Sequence, residues 1–363
     1  MSSEPDELYT LRAQYWLGHY TMAVDEAKSI MRRPMSPELK LEREEFSLRS
    51  QLALGQHNKV IQASQESSEP SKYLLRAIFW FDVALVDRPL LNWHDATHSG
   101  MLLRTKRNVI ERFLILFFFL FSAFWNFALQ FLGIKALGLA AQYELAVQQQ
   151  DEATQQMIVG QVSSLLGDGA TTSVQLTASQ IFVKAGMKRE ALQCVHLGLT
   201  MEHIMSCLQL YLQLDRLDLA SQQLGLLKQA DEDSVLTQLG SVYVALGTGS
   251  SSAKDAVHTL NQLSEQYGPS VYLTNLMACA LLQQGQYAEA EQRLTQAKQE
   301  GLPGVENDVD TMVNLLVCYQ YQNKPTAQLV QQIASQHPSH FLSKGLETVN
   351  GAFERESMKY RVS

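Results

Sequence analysis

Only four cysteines occur in this chain, Cys194, Cys207, Cys279 and Cys318, and no two stand in a Cys-x-x-Cys spacing. Each sits alone in an apolar-periodic segment, which predicts buried thiols and argues against a metal or dithiol redox centre. Basic charge is scarce as well. With 29 Lys+Arg against 37 Asp+Glu the net charge is −8 and the pI near 5.6. A nucleic-acid backbone binder needs a concentrated basic face, so no nucleic-acid partner is expected. The opening residues, Met1-Ser2-Ser3-Glu4-Pro5-Asp6-Glu7, lack the basic-then-apolar order of a secretory signal, and a cytosolic start of synthesis is expected. Strand-type alternation of Val, Ile and aromatic residues is absent over any useful length, which leaves an all-α fold.

Catalytic signatures are missing too. Gly247-Thr248-Gly249 has glycines but no P-loop lysine at the needed offset and no preceding strand, so it reads as a long inter-helix loop. No Gly-x-Ser-x-Gly elbow is present. His94 and His98 stand at a zinc-compatible spacing, yet Asp95 replaces the glutamate of the metalloprotease motif and no third ligand is evident. The His337-Pro338-Ser339-His340 pair is read as a surface turn fixed by its proline. The carboxylates are expected on solvent faces. No enzyme, cofactor or metal site is expected.

What the chain does have is a period. A glycine is followed five residues later by an alanine at Gly18/Ala23, Gly186/Ala191 and Gly285/Ala290. Gly55/Val60 and Asp215/Ala220 keep the spacing with one member changed. Such a pair marks the corner of a helical hairpin: one helix ends where φ > 0 is needed, and a small residue lets the next pack closely. Taking the small residue as anchor gives Ala23, Val60, a gap, then Ala191, Ala220, Ala256 and Ala290, spaced 29 to 37 residues apart outside the gap. That range brackets the roughly 34-residue tetratricopeptide unit, so the fold expected is a helical-hairpin solenoid. Helix starts agree: Ser36-Pro37-Glu38 offers an N-cap and an N1 proline, and Asp231-Glu232-Asp233 precedes the ladder of Leu236, Leu239 and Val242.

The gap between Val60 and Ala191 is too long for regular steps, and residues 78–133 look foreign within it. They hold ten of the fourteen phenylalanines and three of the four tryptophans. Without them the missing anchor falls at Ala153 and the chain divides into N-terminal repeats at 1–77, an insertion at 78–133 and a continued solenoid at 134–363. Phe113 to Ile134 is apolar except for Ser122, Asn126 and Gln130, close to the ~20 residues of a membrane span. Arg104, Lys106, Arg107 and Arg112 precede it, which would keep its N-terminal side cytoplasmic. A single crossing would, however, part the stacked repeats. Three readings stand: a retained intron or gene-model error, a docked insertion, or a true span. Phe, Leu and Ile codons are pyrimidine-rich, so a translated splice-acceptor tract would read much like Phe113 to Phe121.

Several blocks resemble the coatomer epsilon subunit family. They are Asp6-Glu7-Leu8-Tyr9-Thr10-Leu11-Arg12 with Tyr15, Leu17-Gly18-His19-Tyr20 and Ala23; Ser36-Pro37-Glu38 with Glu42-Arg43; Gln229-Ala230-Asp231-Glu232-Asp233 through Leu236-Thr237-Gln238-Leu239; and Val313 to Cys318, Ser335 to His340 and Phe353-Glu354-Arg355. Only about 78–133 departs from the pattern. The resemblance implies a tetratricopeptide-like superhelix clasping the C-terminal domain of the alpha coatomer subunit. It also implies a coat role in Golgi-to-ER retrieval and intra-Golgi transport, with peripheral attachment to Golgi and vesicle membranes from the cytoplasm. Tetratricopeptide geometry would place Tyr272, Asn275 and Gln283, with Gln209 and Gln213 two copies earlier, on the inner helices as partner-binding candidates. Another tetratricopeptide adaptor, membrane-anchored through 113–134, is the alternative.

Overall fold

The computed structural model describes residues 6–67, 132–167 and 170–360. The segment 78–131, with the apolar run from Phe113 and the His94/His98 pair, lies outside the described residues. Leu132 and Gly133, placed with the insertion on sequence, already belong to a helix. Among the described residues there are seventeen α-helices and no strand.

Sixteen of these helices form eight hairpins. They are α1 Tyr9–Trp16 with α2 Tyr20–Ser29, α3 Pro37–Ala53 with α4 His57–Ser67, α5 (132–148) with α6 Glu152–Leu165, and α7 Thr172–Lys184 with α8 Lys188–Val195. Then follow α9 Met201–Gln213 with α10 Leu217–Ala230, α11 Val235–Thr248 with α12 Ala253–Tyr267, α13 Val271–Gln283 with α14 Tyr287–Gln299, and α15 Val309–Tyr321 with α16 Ala327–Gln336. A last helix, α17 Phe341–Met358, ends the stack. The first helices of successive hairpins touch one another (α7 on α9, α9 on α11, α11 on α13, α13 on α15), which is solenoid stacking.

The corners follow from backbone chemistry. Gly18, Gly55, Gly186 and Gly285 hold φ between +72° and +79°, the left-handed region where a Cβ is costly. Two residues later the second helix begins, and its fourth residue faces the first. Ala23, Val60, Ala191, Ala220, Ala256 and Ala290 all occupy this fourth position and are at most 1% exposed.

Ala153 does not take this role. It is the second residue of α6 and is exposed. The corner residue there is Gln150 at φ +57°, so the fourth helical position falls at Gln155, whose Nε2 donates to the Ala146 carbonyl at 3.2 Å. The step to Ala191 is therefore 36 residues. The glycine-rich stretch at 247 also differs from expectation. Gly247 and Thr248 form the last turn of α11, Gly249 at φ +99° ends it, and the connection is only 249–252. Gly247 leaves room inside the helix for Leu212, whose Cδ2 a Cβ there would approach to 2.8 Å and push aside.

The block around Leu-Thr-Gln-Leu gains a physical reason. Leu236 and Leu239 enter the main core with Leu208, Leu227 and Leu260. Between them, the buried Thr237 hydroxyl donates to the Asp231 carbonyl at 2.6 Å and lies 3.3 Å from that of Leu227. It satisfies the carbonyl of Asp231, the residue that caps the end of α10, whereas the Leu227 carbonyl also accepts from Asp231 N at 3.0 Å. Ser234 and Ser36 cap α11 and α3 through hydrogen bonds from Thr237 N and Leu39 N.

The chain before and after residues 68–131 packs together directly. Leu48 and Val60 share a core with Ile134, Leu137 and Ala141. Ser64 and Gly138 meet at the crossing of α4 and α5, where a Cβ on Gly138 would sit 2.5 Å from Ser64 Cβ. His57 Nδ1 lies 3.4 Å from Glu144 Oε2.

Candidate functional site

The solenoid turns far enough that its first hairpin meets its sixth and seventh. Helix α1 touches α11. The Ser270 hydroxyl donates to the Leu17 carbonyl at 2.6 Å, and the Tyr9 and Tyr267 hydroxyls hydrogen-bond at 2.8 Å. Helices α1 and α3 thus lie against the inner face formed by α7, α9, α11 and α13.

A charged cluster joins the two sides. Glu202 on α9 accepts from Trp16 Nε1 at 2.8 Å and from Arg49 Nη1 at 3.0 Å. Arg49 Nη2 also reaches Ser173 Oγ at 3.4 Å, and the guanidinium lies over the Phe46 ring. Burial opposes the Arg49 charge, but Glu202, Tyr15 and Glu45 around it hold its pKa above the ordinary value. Glu45, 8% exposed, has its pKa raised by burial, against the pull of Arg49 and Ser173. Nearby, Arg12 donates to both Glu42 oxygens, at 2.8 and 2.9 Å. The expectation that carboxylates lie on solvent faces fails here, because partners 153 residues apart neutralise one another.

Two small cavities flank the Arg49–Glu202 bridge. One, about 260 Å³, lies among Arg12, Glu45, Phe46, Ser173 and Met201. The other, about 240 Å³, is lined by Tyr15, Tyr20, Gln180, Gln209, Tyr243 and Tyr272. The Tyr243 and Tyr272 hydroxyls hydrogen-bond at 2.7 Å, and burial pushes both phenols above their ordinary pKa.

All five predicted partner-binding residues lie on first helices, α9 and α13, but they do different things. Gln209 lines the second cavity together with Tyr243. Tyr272 lies in that cavity and beneath Gly18. Asn275 is committed to the next hairpin: its amide donates to Asp308 Oδ2 at 2.8 Å and Thr311 Oγ1 at 3.1 Å, while Asn314 donates to its carbonyl at 3.0 Å. Gln283 is exposed and donates to the Leu246 carbonyl at 2.9 Å, and Gln213 is exposed at the end of α9. Sequence reasoning missed Trp16, Tyr20, Arg49, Glu202 and Tyr243. All but Tyr20, which begins α2, lie on first helices, and nothing in their spacing marks them as one site.

Three of the four cysteines are buried and all are free; burial raises the Cys207 thiol to about 11. Among the described residues no group of His, Cys, Asp and Glu could hold a metal ion. His340 caps α17, its Nδ1 accepting from Leu342 N, and the His337 carbonyl accepts from Ser343.

The family model for the coatomer epsilon subunit matches residues 4–82 and 132–361, leaving 83–131 unmatched. Coatomer subunit epsilon-2 of Arabidopsis thaliana is 25% identical over 358 residues, 98% of this chain and 97% of that protein. Coatomer subunit epsilon-1 of the same plant is 31% identical over 187 residues, 52% of this chain and 63% of its own length. In fold, the crystal structure of the APC/C hetero-tetramer Cut9–Hcn1 aligns with a TM-score of 0.50 at 12% identity, covering 92% of this chain and 54% of that one. With the motif blocks, the hairpin solenoid and the family model in agreement, the chain belongs to the coatomer epsilon subunit family and is a subunit of the coatomer vesicle coat.

Proposed function

We propose that this chain is a non-enzymatic assembly subunit that binds the alpha coatomer subunit through the inner face of its solenoid. Its work would be Golgi-to-ER retrograde and intra-Golgi transport. Membrane attachment would be peripheral, through the coat, on the cytosolic side of Golgi membranes and vesicles. The observation that carries the reading is the inner-face cavity lined by Tyr20, Gln209, Tyr243 and Tyr272. Aromatic rings with amides beside them supply contact area and adaptable hydrogen bonds, the composition favoured in protein interfaces. Because Asn275 is held by its own neighbours, Gln209 is the sensitive position. Gln209→Arg should abolish pull-down of the alpha subunit with helicity unchanged; full pull-down would exclude this face.

We further propose that residues 78–131 are an added segment that the solenoid does not need. Support comes from α4 and α5, which stack on each other through Val60, Ile134, Leu137 and Ala141. Deleting 78–131 should leave a folded, coat-competent protein. A mature transcript carrying the segment in frame as its single form would overturn the retained-intron reading. Among the described residues no helix is long and apolar enough to cross a membrane. Retention of the full chain in the pellet after carbonate extraction would instead favour an anchor at 113–134.

A further inference from the structure

We propose that the first two hairpins, residues 6–67, form a gate over the inner face. Closed, as here, they occupy the surface that the partner takes; opening is a swing about the α4–α5 junction. The proposal rests on the inner face being the partner surface.

The gate has a core of its own. Leu8, Leu11, Ala23, Ala27, Ile30 and Phe46 form a cluster separate from the main one. The gate lends the main cluster only Ala13 and Leu17, with Trp16 packed against it. The remaining ties across the closure are the close approach of Gly18 to Tyr272 and a few polar contacts: Ser270 to Leu17, Tyr9 to Tyr267, Arg49 to Ser173, and Glu202 to Trp16 and Arg49. Moving the gate as a body would therefore leave both cores largely whole, which is the requirement for a hinge. At the other edge, α4 and α5 stay joined by a shared core of Leu48, Val60, Ile134 and Leu137, with Ser64 close on Gly138, and this is the packing that would hold the gate to the stack as it swings.

Space favours the opening. The cavities left in the closed form are about 260 and 240 Å³. Both fall below the roughly 300 Å³ at which small-molecule pockets begin, and a protein segment needs more. Gln209, Tyr243 and Tyr272 are half-buried beside α1, and its withdrawal would expose them to a partner in full.

Glu202 is the latch. It takes the indole N–H and the guanidinium from the gate, so reversing either charge breaks the closure while an exchange of both restores an ion pair. Full-length Arg49→Glu, Glu202→Arg and the double exchange are compared by hydrogen exchange and by association with the alpha coatomer subunit. Each single reversal should raise amide exchange on α1, α11 and α13 and speed association by about tenfold, as a conformational tax is removed. The double exchange should return both toward wild type. Native helicity with unchanged exchange and association in the single variants would overturn the gate. If a reversal unfolds the chain, Tyr9→Phe with Trp16→Phe removes two ties without burying a charge, and the same two readouts apply. Gln209→Arg separates the two proposals. Binding that survives it removes the inner-face reading, whereas binding lost to it but indifferent to every latch variant removes the gate alone.

Discussion

Gly18 sits against Tyr272: a Cβ built on the glycine would lie 2.7 Å from the tyrosine Cβ, across 254 positions of sequence. The same glycine holds φ +79°. Two demands, a left-handed corner and a close approach, thus meet at one residue. Gly55 shares the first, at φ +72°, but has nothing within 4 Å. Gly18→Ala should therefore cost about 2–4 kcal/mol, strain plus overpacking, against about 1–2 kcal/mol of strain for Gly55→Ala. Denaturant midpoints measure the difference; equal losses would mean that the closure is not populated in solution.

Thr237 binds two carbonyls while almost wholly buried. Thr237→Val keeps the shape and removes the donor. It should lower stability by about 1–3 kcal/mol, the cost of leaving the Asp231 carbonyl unmet. A neutral result in chemical denaturation would mean that water reaches the end of α10.

The α4–α5 crossing offers a compensating pair. Gly138→Ala places a methyl against Ser64 and should cost about 1–3 kcal/mol. Adding Ser64→Gly should recover part of that loss, because the two side chains would otherwise contest one space. Simple additivity of the two losses in a double-mutant cycle would sink the assignment of this crossing.

Acid and base act on the closure with opposite signs. Burial lowers the His19 pKa from its usual 6.5, with the Gly268 backbone pulling the other way. Its contribution is complete above 6.5 and is lost as pH falls through the lowered value. Burial raises the Glu45 pKa above its usual 4.5, so that group favours the fold at acid pH and the benefit is lost as pH rises through the raised value. His19→Asn should flatten the acid loss of stability. Glu45→Gln should stabilise at neutral pH, with the gain shrinking on acidification. Melting temperatures across pH 4 to 8 check both, and an unchanged slope in either variant counts against its assignment.

The hairpin period was legible because its corners impose a chemical demand that few residues meet. Where glycine supplies the positive φ, at Gly18, Gly55, Gly186 and Gly285, the register reads directly. At Gln150 an ordinary side chain adopts it instead, the cue vanishes, and spacing alone points to Ala153 for a register that Gln155 holds. The inner face was half legible. Helical periodicity places Gln209 and Tyr272 on first helices, yet nothing local tells that Asn275 is already engaged by Asp308 and Asn314. The Arg49–Glu202 pair was illegible for a stronger reason: it exists only once the superhelix has turned back on itself, a property of every crossing angle together.

The direct packing of α4 on α5 has a consequence for how this stack accommodates change. Sixty-four residues separate Ser67 from Leu132, yet the two helices meet as neighbours through Val60, Ile134 and Leu137. Bridging two ends with a longer chain costs about 0.6 kcal/mol for each doubling of its length, so going from about four residues to about sixty-four costs about 2.4 kcal/mol. The joint between the second and third hairpins is thus a splice point at which added sequence draws on only a part of the stack's stability.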